Sequence, residues 1–205
     1  QSGTVKTGNC QIGSRLLHIN RLRKKLGLRC RQKRKFKATT DSNHALPVAP
    51  NLLDRQFAVA APNTAWVTDI TYIRTYDGFM YLAVVLDLFS RQVVGWATRP
   101  TQHTDLVLQA LLAAVWRRKP APGLLLHSDQ GTKFTSEDWQ CFLREHDIVC
   151  SMSRRGNCHD NAAMESFFSS LKTERTARKV YRTKNNGKTD VFDDIERFYN
   201  PIRRH

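Results

Sequence analysis

The stretch "TAWVTDITYI", residues 64–73, alternates so that Val67, Asp69, Thr71 and Ile73 share one face of a strand and Trp66, Thr68, Ile70 and Tyr72 the other. An aspartate therefore points from the middle of a strand, where propensity disfavours it and where a half-buried carboxylate without a partner is costly. Working outward, "FMYLAVVLDLFSRQVVGWAT" reads as two strands, 79–87 and 91–98, joined by a tight turn around Phe89 and Ser90. "DLVLQALLAAVWRR", 105–118, has the apolar majority of a packed helix. "GLLLHSDQG" is a short buried strand ending in Asp129 and a glycine turn, and 135–146 is a helix whose opening at Ser136 has Trp139 where a complete capping box has a glutamate. "DIVCSM" supplies a fifth strand, and helices are expected over 160–178 and 190–199. Three consecutive antiparallel strands followed by strands alternating with helices predict an α/β fold, a mixed five-stranded sheet flanked by helices.

Charge narrows the partner. The 205 residues carry 33 Lys and Arg against 18 Asp and Glu, a formal balance of +15 that points to a polyanion, with nucleic acid ahead of an acidic membrane surface. Residues 1–55 hold 13 basic and two acidic side chains, while 56–205 hold 20 and 16. Within the front segment, Leu16, Ile19, Leu22 and Leu26 lie at helical spacing between Ser14 as N-cap and Gly27 as stop. The next residues crowd Arg31, Lys33, Arg34, Lys35 and Lys37 together, cations that repel unless phosphates neutralise them. Pro47, Pro50 and Pro62 then mark an extended linker. The expected organisation is a basic helical segment over 1–30 that contacts DNA, a basic and proline-containing linker over 31–62, and the strand-and-helix domain over 63–205. No run spans a bilayer and no signal-peptide pattern opens the chain, so a soluble, cytoplasmic, nucleoid-associated protein is expected. The five cysteines form no CxxC pair, which supports neither a disulfide framework nor a zinc finger, and His159 beside Cys158 has no second ligand pair at finger spacing.

In "SRRGNCHDNAAMESFFSSLK", 153–172, Met164, Phe167, Phe168 and Leu171 make the core arc of a helix, and Glu165 stands on a polar ridge with Asn161 and Lys172 beside it. Alone it reads as a surface acid. Its company changes that: Asp69, Asp129 and Glu165 converging from a strand centre, a strand end and a helix are what two magnesium ions require. Asp87 reads as a turn cap with Ser90, and Asp160 as an acid offsetting the helix macrodipole. Arg154 and Arg155 read as a phosphate clamp, and Trp66, Trp96, Trp116 and Trp139 as core.

These segments, with "HSDQGTKFTS" and "FYNPIRRH", resemble the catalytic half of DDE-class insertion-sequence transposases of the OrfB type, relatives of retroviral integrases. The family's spacing is met, with 35 residues between Asp129 and Glu165 and Lys172 seven positions after Glu165. The resemblance implies a ribonuclease H-like fold preceded by part of a helix-turn-helix region, and Asp69, Asp129 and Glu165 as a metal triad for two Mg2+ ions that Mn2+ can replace. It also implies Lys172 as a contact to the DNA end, Gly131 as a close-approach turn, and strand transfer of transposon ends into target DNA by a homo-oligomer. One departure is His159, where the family has an aromatic residue. The chain is expected to be a piece of a longer protein. A ribonuclease H-like nuclease that only hydrolyses, or a DNA-binding accessory with structural carboxylates, are the alternative readings.

Overall fold

A computed structural model describes residues 18, 21–27, 48–155, 157–177 and 179–203. The expected basic contacts Arg31, Lys33, Arg34, Lys35 and Lys37 lie outside the described residues, as do Ser14, Leu16 and Ile19. In the unit 1–39, residues 21–25 are helical and Gly27 ends the turn at φ 64°, a left-handed conformation that costs glycine little. No second helix of a helix-turn-helix is described there.

The unit 40–205 contains a five-stranded sheet in the order β3-β2-β1-β4-β5. β1 (Ala65–Thr75), β2 (Gly78–Asp87) and β3 (Val93–Arg99) form an antiparallel meander, and β4 (Leu125–Ser128) and β5 (Val149–Met152) add to β1 in parallel. Both faces are covered, which is why β2 is buried without a break from Leu82 to Asp87. Alternation divides that strand between two cores: Leu82, Val84 and Leu86 pack on one side, Ala83 and Val85 on the other. α1 (Thr104–Arg118) and α2 (Glu137–Glu145) cover the second side, where Leu106, Leu111, Trp139 and Leu143 are buried. α3 (Ala162–Leu171) and α4 (Lys184–Phe192) cover the first with Met164, Phe167, Phe168 and Val191. Gly95 is required where α1 crosses β3, because a Cβ there would stand 2.2 Å from the Ala110 carbonyl oxygen.

Local chemistry sets the boundaries. Ser136 accepts the Trp139 amide at 3.4 Å and opens α2 as expected. Asp87 accepts the Ser90 amide and hydroxyl, at 2.9 and 2.7 Å, and caps the β2–β3 turn. The helix expected over 160–178 is not continuous: a 3-10 turn, Cys158–Asn161, precedes α3, and from Lys172 the chain widens into a π-helical turn in which the Ala177 amide reaches the Lys172 carbonyl at 2.7 Å. α4 begins at Lys184, six residues before the expected start at 190, capped by Thr183. "KNNG" reads as loop by propensity, yet Gly187 is buried against Met80 and Tyr181, and tertiary contact overrides the weak local preference. Trp66 and Trp139 are core, but Trp116 is 75% exposed. It lies two positions, about 200°, from buried Ala114 on α1, facing away from the sheet.

Candidate active site

The parallel register of β1 and β4 pairs Val67 with His127, and continuing it past the last residue of β4 brings Asp69 opposite Asp129. Both acids thus sit where two neighbouring parallel strands, about 4.8 Å apart, part company. Backbone amides help hold both carboxylates: Ile70 donates to Asp69 Oδ1 at 2.7 Å and Gly131 to Asp129 Oδ1 at 2.9 Å. Burial, with the Asp129 charge next in importance, pushes the Asp69 carboxyl up to about 8, against the opposing pull of the Ile70 amide and the Lys172 ammonium. The Glu165 charge adds to the upward push more weakly.

Glu165 is brought to this pair by the start of α3. Asn161, buried, donates its side-chain amide to the Thr68 carbonyl at 3.3 Å, next to Asp69. Glu165 lies four residues on, on the same face of the helix, and is exposed. Among the described residues no three His, Cys, Asp or Glu side chains already close into a metal shell. The assembled part is therefore the aspartate pair, with Glu165 beside it. An all-oxygen donor set carrying excess negative charge, in a place that pushes a carboxyl toward protonation, suits a hard divalent cation.

The basic residues divide. Lys172 is half-buried, its Nζ 5.5 Å from the centroid of the Tyr72 ring, and burial lowers its pKa while Asp69 opposes that. Arg155 is exposed. Arg154, expected beside Arg155 in a phosphate clamp, is instead a strut: its Nε and Nη2 donate to Asp160 at 3.0 and 2.9 Å, and Nη2 also lies 3.2 Å from Asp54.

Asp160 is the residue that sequence reasoning undervalued. Its side chain is fully buried and gathers Arg154, the Arg154 amide, Arg55 Nε at 2.8 Å and Asn51 Nδ2 at 3.1 Å. Arg154, foremost, holds the carboxyl well below the usual carboxylate range. Two of these partners come from residues 48–57, a segment placed in the linker by its prolines, which here straps across β5. The Leu52 and Leu53 amides donate to Ser151 Oγ at 2.9 and 3.2 Å, the Met152 amide reaches the Pro50 carbonyl, and Leu53 is 2% exposed. With two amides already bound, Ser151 directs its proton to His127 Nδ1 at 2.9 Å, which leaves Nε2–H to donate to Ser153 at 3.0 Å. His127 is buried, and burial lowers its pKa to about 4. No local signal marks Asp160 as a hub, since Arg55 and Asn51 lie 105 and 109 residues away.

Residues 59–158 match the family model described as Integrase core domain, a range that includes Asp69 and Asp129 and ends before Glu165. The chain is 44% identical over 187 residues to the protein named "Insertion element IS600 uncharacterized 31 kDa protein" of Shigella sonnei, covering 91% of this chain and 69% of that one. It is also 44% identical over 179 residues to "Transposase InsF for insertion sequence IS3A" of Escherichia coli (strain K12), covering 87% of this chain and 62% of that one. The chain belongs to the DDE-class insertion-sequence transposases. It spans roughly two thirds of the length of these relatives. The fold of this transposase is also that of a chain in the simian T-cell lymphotropic virus intasome complexed with PP2A regulatory subunit B56 gamma, with a TM-score of 0.57 at 18% identity, covering 90% of this chain and 64% of that one. The HTLV-2 integrase catalytic core domain in complex with magnesium (trimeric form) aligns with a TM-score of 0.50 at 18% identity, covering 66% and 87%. At that identity these likenesses bear on fold alone, and they place the sheet in the ribonuclease H-like, integrase-core class. Among the described residues no helix is long and apolar enough to cross a membrane.

Proposed function

We propose that this chain carries the phosphodiester-transfer centre of its transposase, cutting insertion-sequence ends and joining the freed 3′-hydroxyl to target DNA. The observation that carries the reading is the Asp69–Asp129 pair at the parting of β1 and β4, where burial and the neighbouring Asp129 charge push the Asp69 carboxyl up, with α3 pinned to Thr68 so that Glu165 stands alongside. Asp69, Asp129 and Glu165 would hold two Mg2+ ions, with Mn2+ able to replace them. Metal bound there supplies Lewis-acid activation of the attacking oxygen and stabilisation of the leaving one. The chain's own contribution is to aim Asp69 and Asp129 through the Ile70 and Gly131 amides, and to neutralise phosphate with Lys172 and Arg155. Arg31, Lys33, Arg34, Lys35 and Lys37 add sequence-independent attraction to the DNA backbone. No side chain is assigned as general base. His127 is unsuited to that role because both its ring nitrogens are engaged by serines. The working form is a homo-oligomer on DNA, acting at the bacterial nucleoid.

The test is cleavage and joining of supercoiled plasmid and labelled duplex with Mg2+, comparing the chain with Glu165→Gln. Mg2+-dependent nicked and joined products that vanish in the variant, while DNA binding persists, support the reading. Nicking with no joined product restricts the chain to hydrolysis. Undiminished activity of Glu165→Gln removes that residue from the site.

A further inference from the structure

β1 pairs with β4 through Ala65–Val67; beyond that, the Asn161 side chain takes the Thr68 carbonyl and Tyr181 bridges Thr75. At this end of the β1–β2 hairpin three aromatic side chains come to the surface: Tyr72 is 41% exposed, Tyr76 77% and Phe79 49%. Tyr72 and Phe79 meet edge to face, with centroids 5.1 Å apart and ring planes at 71°. Asp69 and Tyr72 leave β1 on opposite faces, three residues or about 10 Å apart. Lys172 connects them. Its ammonium stands over the Tyr72 ring and its charge is felt by Asp69. Arg74, exposed two positions along the strand, adds a second cation on the Tyr72 face.

Exposed π-surface flanked by cations, one lysine away from a carboxylate pair, has the chemistry of a seat for nucleobases rather than for an apolar protein segment. Resting on the function proposed above, we propose that Tyr72, backed by Phe79 and overlain by Lys172, stacks an unpaired base of the DNA strand whose phosphate lies at Asp69 and Asp129. The class of ligand is a frayed or single-stranded DNA end, recognised by its base face and not by its sequence.

The experiment measures binding, without divalent metal, to a short blunt duplex and to the same duplex with an unpaired tail carrying 2-aminopurine. The expected result is tighter binding of the tailed probe with quenching of the 2-aminopurine. In Tyr72→Ala the preference for the tail falls by roughly 5- to 150-fold, the range of base–aromatic stacking, and the quenching is lost, while binding of the blunt duplex is kept. Tyr72→Phe retains both signals. Tyr72→Leu, which keeps apolar bulk on the strand but no ring, loses them. Equal losses on both probes, or no quenching by the wild type while both probes bind, overturn the seat alone. Failure of the wild type to bind either probe overturns the underlying DNA reading. A shift in oligomeric state of Tyr72→Ala with an unchanged tail preference overturns the seat and assigns the rings to contact between copies.

Discussion

Asp69 and Asp160 are two carboxylates taken largely out of water by the same domain, and their surroundings push them in opposite directions. Asp160 is fully buried yet held well below the usual range, because two arginines, an amide and an asparagine converge on it. Asp69 is pushed up to about 8, first by burial and then by the charge of Asp129, which the Ile70 amide and the Lys172 ammonium offset only in part. The two lie close together in the fold: Asn161, next to Asp160 in the chain, donates to the carbonyl of Thr68, the residue before Asp69. The contrast separates an acid whose charge the fold satisfies from an acid whose charge its surroundings oppose.

The sharpest way to break the comparison is to remove the acids one at a time. Asp69→Asn or Asp129→Asn is expected to abolish Mg2+-dependent DNA cleavage, a loss well beyond the 10- to 100-fold typical of residues that merely support a metal ligand, with the fold intact by circular dichroism. Retained cleavage in either variant would remove the distinction. Asp160→Asn should act on stability instead, lowering the unfolding free energy by roughly 2–3 kcal/mol as charge-assisted hydrogen bonds are lost. A urea midpoint that moves at constant slope registers it.

Acidity sharpens the contrast further. Without metal, Asp69 binds its proton more tightly folded than unfolded, so its contribution favours the fold at low pH and is lost as pH rises through about 8. His127, lowered to about 4, acts oppositely, destabilising the fold as pH falls from about 6.5. The two nearly cancel between those values, leaving a net decline in stability from about pH 6.5 to 8, of at most about 1.4 kcal/mol per pH unit. Thermal melts in chelator should show it, and Asp69→Asn or added Mg2+ should flatten it. A metal-free protein equally stable across that window would contradict the account. The smallest effect belongs to Arg55→Ala: its side chain is 46% exposed, so losing its bond to Asp160 should cost less than about 1 kcal/mol, measurable in the same urea series.

The strands and the position of Asp69 within β1 were legible in the sequence because alternation is a local property. Val67 and Ile73 belong to one core and Trp66 to the other, as the period of two requires, and an Asp interrupting such a run is visible without a structure. The caps at Asp87 and Ser136 were legible for the same reason. What failed was non-local. Arg154 lies six residues from Asp160, but its assignment to a clamp could be revised only once Arg55 and Asn51 were seen arriving from the strap. The start of α4 at Lys184 depends on a glycine fitting against Met80, and the exposure of Trp116 on which arc of α1 faces the sheet. Helical periodicity placed Glu165 on a ridge correctly, but its nearness to Asp69 follows from a single asparagine reaching the Thr68 carbonyl.

The strap of residues 48–57 bears on where the gene can be trimmed. A fragment starting at residue 63, where composition invites the cut, would remove Leu53 from the core, strip Ser151 of the two amides that orient His127, and leave Asp160 with Arg154 as its remaining arginine. Expression of the domain by itself should therefore begin upstream of residue 48, so that the acid next to α3 keeps the partners that hold the helix carrying Glu165.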